Sequence, residues 1–404
     1  MRRLFVRLHR WLGLAPAMKR NSAVATGAII SWDHELDEWL NPEFYEALTP
    51  GTPQSALALA DQLEASDSRL RVRYLPLNIE SGHTLLLMVE PRVNPTTGKL
   101  HELGFNQVAI DPVSGAVQAQ REWGRVSLER QNLLSFLYKL HYSLHIPDGW
   151  GLELGVLFMG FIAMAWVLDT LIALWISFPN FSAWRQSFAF RWKAGGYKRI
   201  FDLHRSGGVW IFGLLLILSV TSVGMNLREP VMRPIVSWFS TLTPSPFATR
   251  TPSAPERVAD PAITRSQLLR RAQQEVQAQQ LSTPAGAIFL SSPFGVYGVG
   301  LFEGDNSHGD GGLGNPWLYF DMRTGEPAGA DIPGRGSAGD IVMQAMFPLH
   351  SGRILGVTGR VLISLCGIAV ATLCVTGVLI WARKRKGRIK KMSQVQDIGL
   401  IQPR

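Results

Sequence analysis

Residues 151–178 read GLELGVLFMGFIAMAWVLDTLIALWISF, a run charged only at Glu153 and Asp169. About 20 mostly apolar residues suffice for a helix to cross the hydrocarbon of a bilayer, so this stretch predicts a transmembrane helix. Residues 206–227 and 361–382 carry no charge and predict two more, the last helix starting near residue 349. Trp150, Trp175 and Trp381 stand near the span ends, where amphipathic indoles anchor at the interface. A further stretch, 12–32, is weaker because it holds Pro16, Lys19, Arg20, Asn21 and Ser22. Each central Lys or Arg costs roughly 2.5–3.5 kcal/mol on insertion scales.

Charge asymmetry nevertheless requires a crossing there. Segment 185–205 has six Lys/Arg against one acid, Asp202, and the tail 383–391 has seven and no acid. The N-terminus is basic too, with Arg2, Arg3, Arg7 and Arg10. Positive segments stay on the cytoplasmic side. If the second span runs from outside to inside, residues 33–148 lie outside and something near residues 10–32 must cross. The expected fold is an α-helical integral membrane protein, a four-helix transmembrane bundle with two α+β domains outside and both termini inside. Its segments are the first span (1–32), an outer domain (33–140), the second span (141–178), a basic loop (179–204), the third span (205–227), a second outer domain (228–348), the fourth span (349–382) and a basic tail (383–404).

Composition agrees with a membrane chain that also carries soluble parts. Of 404 residues, 18% are charged, against about 25% in soluble domains. The net charge of +9 gathers beside apolar segments, which fits membrane topology rather than nucleic acid. Cys366 and Cys374 fall on one span; eight helical residues separate them by roughly 12 Å, too far for a disulfide. They read as small packing residues. There is no P-loop, strand-bound Gly-x-Gly-x-x-Gly, catalytic triad or His-Glu-x-x-His signature, so nucleotide chemistry is not indicated.

In the first outer region a helix is expected at 55–64 and strands at 69–77, 84–90, 105–110 and 116–120. In the second, a helix is expected at 264–280 and strands at 287–290, 296–301 and 317–320. The turns Asp111-Pro112-Val113-Ser114-Gly115 and Asp321-Met322-Arg323-Thr324-Gly325 form an internal echo. A Pro/Ser/Thr-rich linker covers 241–261. The loop 304–314, with five Gly plus Asp305, His308 and Asp310, reads as a mobile connector, and His34, His83 and His101 as surface residues.

Four of the nine histidines share one context: Leu8-His9, Leu140-His141, Leu203-His204 and Leu349-His350, each at the start of an expected span. Ionisable groups at membrane depth are functional candidates, and neutral imidazole is an axial ligand of haem iron. Topology sorts them into an inner pair, His9 with His204, and an outer pair, His141 with His350. His145 follows His141 by four residues, on the same helical face if the helix continues, so either could be the ligand, with His141 favoured and His145 a supporting group. Arg10, Arg205, Arg353 and Arg360 are candidate partners for haem propionates, since guanidinium matches carboxylate geometry. Asp169, deep in its span, should face the protein interior, paired or protonated, in a structural hydrogen bond.

The chain resembles the PepSY-associated transmembrane family, which includes iron-regulated membrane proteins and siderophore-iron reductases. The likeness is carried by Leu8-His9-Arg10-Trp11-Leu12-Gly13, Glu35-Leu36-Asp37-Glu38-Trp39-Leu40-Asn41-Pro42 and Phe201-Asp202-Leu203-His204-Arg205-Ser206-Gly207-Gly208-Val209-Trp210. Pro348-Leu349-His350-Ser351-Gly352 and Thr376-Gly377-Val378-Leu379-Ile380-Trp381 complete it. The run Ala15 to Ser22 departs from the smooth apolar first helix of that family. The resemblance implies two PepSY-like outer domains and a bacterial inner-membrane reductase with two haem b groups, taking ferric siderophore as oxidant. The donor and oligomeric state are left open. Two rival expectations remain: a haem-free PepSY sensor or regulator that binds a periplasmic protein, and a permease for the chelate.

Overall fold

A computed structural model describes residues 1–14 and 17–399. The side chains of Lys19 and Arg20, which weaken the first expected span, lie outside that description. In chain order the helices are α1 (Arg2–Leu14), α2 (Ala17–Ile30), α3 (Asp33–Leu40), α4 (Pro42–Tyr45), α5 (Ala56–Ser66), α6 (Leu133–Ser143), α7 (Leu154–Ser177) and α8 (Tyr197–Trp210). They continue as α9 (Phe212–Asn226), α10 (Arg233–Ser237), α11 (Pro246–Thr249), α12 (Arg265–Ala278), α13 (Ala338–Gln344), α14 (Met346–Ser351) and α15 (Gly356–Gly399). The chain divides into a helical unit (Met1–Ser31, Leu140–Leu227, Val361–Arg404) and a sheet unit (Trp32–Lys139, Arg228–Arg360).

The helical unit corrects the four-helix bundle. Among the described residues two helical stretches, Leu154–Ser177 and Arg353–Gln394, are long and apolar enough to cross a membrane. A third span exists only if α8 and α9 count as one, and they are bent by 66°. Length and charge explain this. The 15 residues of α9 reach about 22 Å at 1.5 Å per residue, short of the ~30 Å hydrocarbon. The preceding α8 carries Lys198, Arg199, Asp202, His204 and Arg205, which hydrocarbon disfavours. The Gly207-Gly208 pair adds little to hold a straight helix at the junction. Likewise α1 and α2, 13 and 14 residues long, are each shorter than the roughly 20 residues that cross the hydrocarbon. Around α7 and α15, large apolar side chains such as Phe161, Leu168, Leu171, Leu365, Ile368 and Val375 are exposed, the signature of a lipid-facing surface. Inside, Leu215, Leu218, Cys366 and Val370 pack with Val24 and Trp166, and neither cysteine is in a disulfide.

The sheet unit corrects the expectation of two separate outer domains. Strands β1 (Leu70–Pro76), β2 (Leu85–Pro91), β3 (Gln107–Ile110), β4 (Val117–Arg121), β5 (Ala285–Ser291), β6 (Val296–Leu301), β7 (Trp317–Asp321) and β8 (Pro327–Asp331) form one sheet in the order β4-β3-β2-β1-β5-β6-β7-β8. Neighbours are antiparallel throughout. The two repeats meet at β1 and β5, pairing Tyr74 with Phe289, Leu75 with Ile288 and Pro76 with Ala287. Each repeat alone would leave its first strand as an open edge with unpaired backbone groups; joining the edges removes both. One core follows: Leu59 and Leu63 of α5 and Leu268 and Ala272 of α12 cover Val72, Leu87, Val108, Ile288, Leu290, Val299 and Phe320. A capping box at Thr264 and Gln267 starts α12.

The echoed turns are real structural equivalents. Asp111 accepts hydrogen bonds from the backbone N–H of Val113 and Ser114, and Asp321 from those of Arg323 and Thr324. Each turn closes on a glycine in the left-handed region, Gly115 at φ 73° and Gly325 at φ 72°, where an L side chain is strained.

Candidate functional site

The site is built within the helical unit, where α1 lies antiparallel along the C-terminal part of α7. Arg2 Nη2 donates to Ile176 O (2.9 Å), and the rings of Phe5 and Trp175 sit 4.9 Å apart. One further step along, His9 Nδ1 lies 2.8 Å from Asp169 Oδ1. Asp169 is buried, so the ionisable residue inside the apolar span has the partner expected of it.

The His9 ring centre is 6.1 Å from that of His204 on α8, with the planes tilted by 51°. His204 is fixed from the other side by α15, its Nδ1 being 2.9 Å from Leu373 O and 3.2 Å from Thr376 Oγ1. The Thr376 hydroxyl itself donates back to Thr372 O (2.7 Å). Gly377 gives the ring its room: a Cβ there would stand 3.0 Å from His204 Cε1.

These partners decide the tautomers. A peptide carbonyl has no hydrogen to give, so His204 donates from Nδ1 to Leu373 O, and an imidazole held that way offers Nε2 as its ligand atom; the Asp169 oxygen beside His9 Nδ1 can hold that ring in the same way. This is the usual arrangement of a metal-ligating histidine, whose other ring nitrogen is held by a carboxylate or carbonyl. Metal–imidazole bonds of about 2 Å, plus roughly 1 Å from each nitrogen to its ring centre, add up to about 6 Å between centres. The ring-centre separation is of that order, so His9 and His204 are the residues that would hold a metal or a haem iron here.

The remaining candidates fall as follows. His141, on α6, has its Nδ1 3.2 Å from Thr26 Oγ1 of α2. A Cβ on Gly27 would stand 2.9 Å from its Cε1, so a glycine backs this imidazole as Gly377 backs His204. His350 is in the last turn of α14 and belongs to the sheet unit, whereas His141 belongs to the helical unit. His145 does not share a helical face with His141. Helix α6 ends at Ser143, and Leu144 and His145 both have φ 53°. Arg10 adjoins His9 in α1. Arg205 donates to Gln186 O and lies over the Phe201 ring at 5.4 Å.

Arg353 is buried and donates to Asp310 Oδ1 at 2.7 Å, with Asp33 at 3.9 Å. Arg360, also buried, grips both oxygens of Glu35 (2.6 and 2.7 Å) and lies over Trp32 at 4.2 Å. The loop 304–314 is thus pinned rather than free, because Gly311 N also donates to Arg353 O (2.8 Å). His308 of that loop comes 5.8 Å from His34, ring to ring, and crowding by the surrounding chain together with Arg353 pushes it down to about 4. Burial raises Asp33 despite Arg353. Sequence reasoning missed this cluster. The available signal was the acidic Asp33-His34-Glu35 run set against two arginines in a stretch otherwise free of counter-charges.

Membrane-length apolar helices and a lipid-facing surface define a membrane protein, in which the His9 and His204 rings lie side by side. The sequence model of the PepSY-associated TM region matches residues 6–384, and the chain belongs to that family. No curated protein matches the chain.

Proposed function

We propose that this protein is an inner-membrane di-haem b electron conduit, which passes electrons from the cytoplasmic or membrane side to ferric siderophore iron in the periplasm. The observation that carries this is the His9–His204 pair, with both Nδ1 atoms held by protein oxygens at a separation that suits a shared iron. Haem, when bound, supplies one-electron chemistry, and the protein supplies placement and tuning. His9 and His204 would hold one group; His141 and His350, with His145 as the alternative to His141, would hold the other. Of the candidate propionate partners, Arg205 and Arg353 are already held by protein oxygens, which makes Arg10 the first to test. Ferric siderophore as substrate follows from the family resemblance. Hard oxygen donors grip Fe(II) less strongly than Fe(III), so reduction promotes release.

The basic segments 185–205 and 383–391 support a cytoplasmic location for both. The bond from Arg2 to the C-terminal end of α7 supports the N-terminus lying on the same side as the basic loop that follows α7. A pyridine haemochrome assay with a dithionite difference spectrum tests the proposal. Two haems per chain are expected, falling to one in H9A and in H204A. A purified protein with no Soret band would refute it and favour a haem-free sensor.

A further inference from the structure

We propose that Asp169 lowers the redox potential of the haem held by His9 and His204, which rests on the function proposed above and adds to it the direction of electron flow. The two imidazoles of this pair are chemically unequal. His204 donates its Nδ1–H to a neutral peptide carbonyl, Leu373 O, at 2.9 Å. His9 donates its own to a carboxylate, Asp169 Oδ1, at 2.8 Å. Asp169 is only 5% exposed, so water screens its charge little.

A carboxylate draws the Nδ1 proton towards itself and leaves more electron density on Nε2, making the imidazole a stronger donor. A stronger axial donor, with a buried negative charge behind it, stabilises ferric over ferrous iron and lowers the potential. A peptide carbonyl does the same more weakly. Location gives the effect a use. Asp169 lies eight residues before Ser177, at the end of α7 that leads into the basic loop. A low potential at the cytoplasmic end makes that haem the readier donor, so electrons run downhill towards the outside.

The test is an equilibrium redox titration of the purified haem-loaded full-length protein at one fixed pH, followed in the α band, for wild type, D169N and D169E. D169N keeps the geometry of an oxygen acceptor but removes the charge. The lower of the two midpoint potentials should rise on the order of tenfold in the ferric/ferrous equilibrium, about 59 mV for one electron. The higher one should stay put, and the low-spin ferric EPR signal of the shifted haem should move with it. D169E, which retains the charge, should fall closer to wild type. An unmoved lower potential in D169N, or equal displacement in D169N and D169E, would overturn the assignment. If D169N loses that haem, D169Q decides against D169E: a lower midpoint raised above that of D169E supports a role for the charge, and one equal to it overturns it. Absence of haem from the wild type would instead refute the proposed function itself.

Discussion

Gly377 and Gly27 each leave space for a histidine ring that any side chain would invade, with Cβ positions 3.0 Å from His204 and 2.9 Å from His141. Small contacts of this kind cannot be relieved by a distant side-chain end, because the ring itself is the neighbour. G377V should displace His204 and G27V should displace His141; on the proposed function each would lower the haem count by one, and haemochrome assay of the two variants checks this. The four Leu-His positions stand out in the sequence because polar rings inside apolar sequence are rare and costly. Their glycine partners were not. Gly27 and Gly377 sit among ordinary small helix residues, and nothing in spacing tells which glycine faces a ring. Asp169 was legible as an interior residue, but its partner on α1 was not, since contact across 160 residues leaves no local trace.

Among elements, α3 is held to its neighbours through one buried acid. Its Asp37 is buried and accepts from Asn41 Nδ2 (2.8 Å), Tyr45 Oη (2.7 Å) and Arg121 of β4. The motif Asp37 to Pro42 therefore acts as a clasp that ties α3 and α4 to the sheet, and its part in the family likeness is structural. Removing one member of a buried ion pair leaves the other charge uncompensated, at roughly 3–5 kcal/mol. D37A and R121A should each lower stability by that order in chemical denaturation, and D37A/R121A by less than their sum. The turns make a milder prediction: G115A and G325A, both forced into φ near +72°, should each cost about 1–2 kcal/mol.

Element type was readable from alternation and turn chemistry, and most strand positions follow from it. Strand β8 was missed because Pro327 and Gly329 have poor strand propensity; an edge position tolerates them. The bend between α8 and α9 was missed because hydropathy over 206–227 measures apolarity, not straightness.

At the scale of the whole molecule, pH should act chiefly on the sheet unit. His308 is depressed to about 4 from 6.5, so its contribution is fully present above about pH 6.5 and is lost as pH falls through that window. Asp111 is held well below 3.8 by hydrogen bonds from Ser114 and Thr49, despite burial, and its contribution goes only under stronger acid. Asp33, raised by burial, works the other way, favouring the fold below 3.8 and losing that effect as pH rises. His83, raised by its bond to Glu38, gains as pH falls through the same range, but the larger displacement of His308 should dominate between about pH 7.5 and pH 5. Thermal midpoints should fall on acidification in wild type and fall less in H308N.

The membrane segments at α7 and α15 were evident from composition. How the soluble segments combine was not, because strand patterning shows which face of a strand is buried but not which edge finds which. The seam between β1 and β5 has a consequence for ancestry and for engineering. Two equivalent α+β halves meeting head to head through like strands have the arrangement of a homodimer whose subunits were later spliced into a single polypeptide. Severing the chain within the linker 241–261 would cut through the second half after its α10, leaving α12 and β5 to β8 on a separate piece. Expressed together, the pieces should find each other by rebuilding that seam; expressed singly, each should be insoluble.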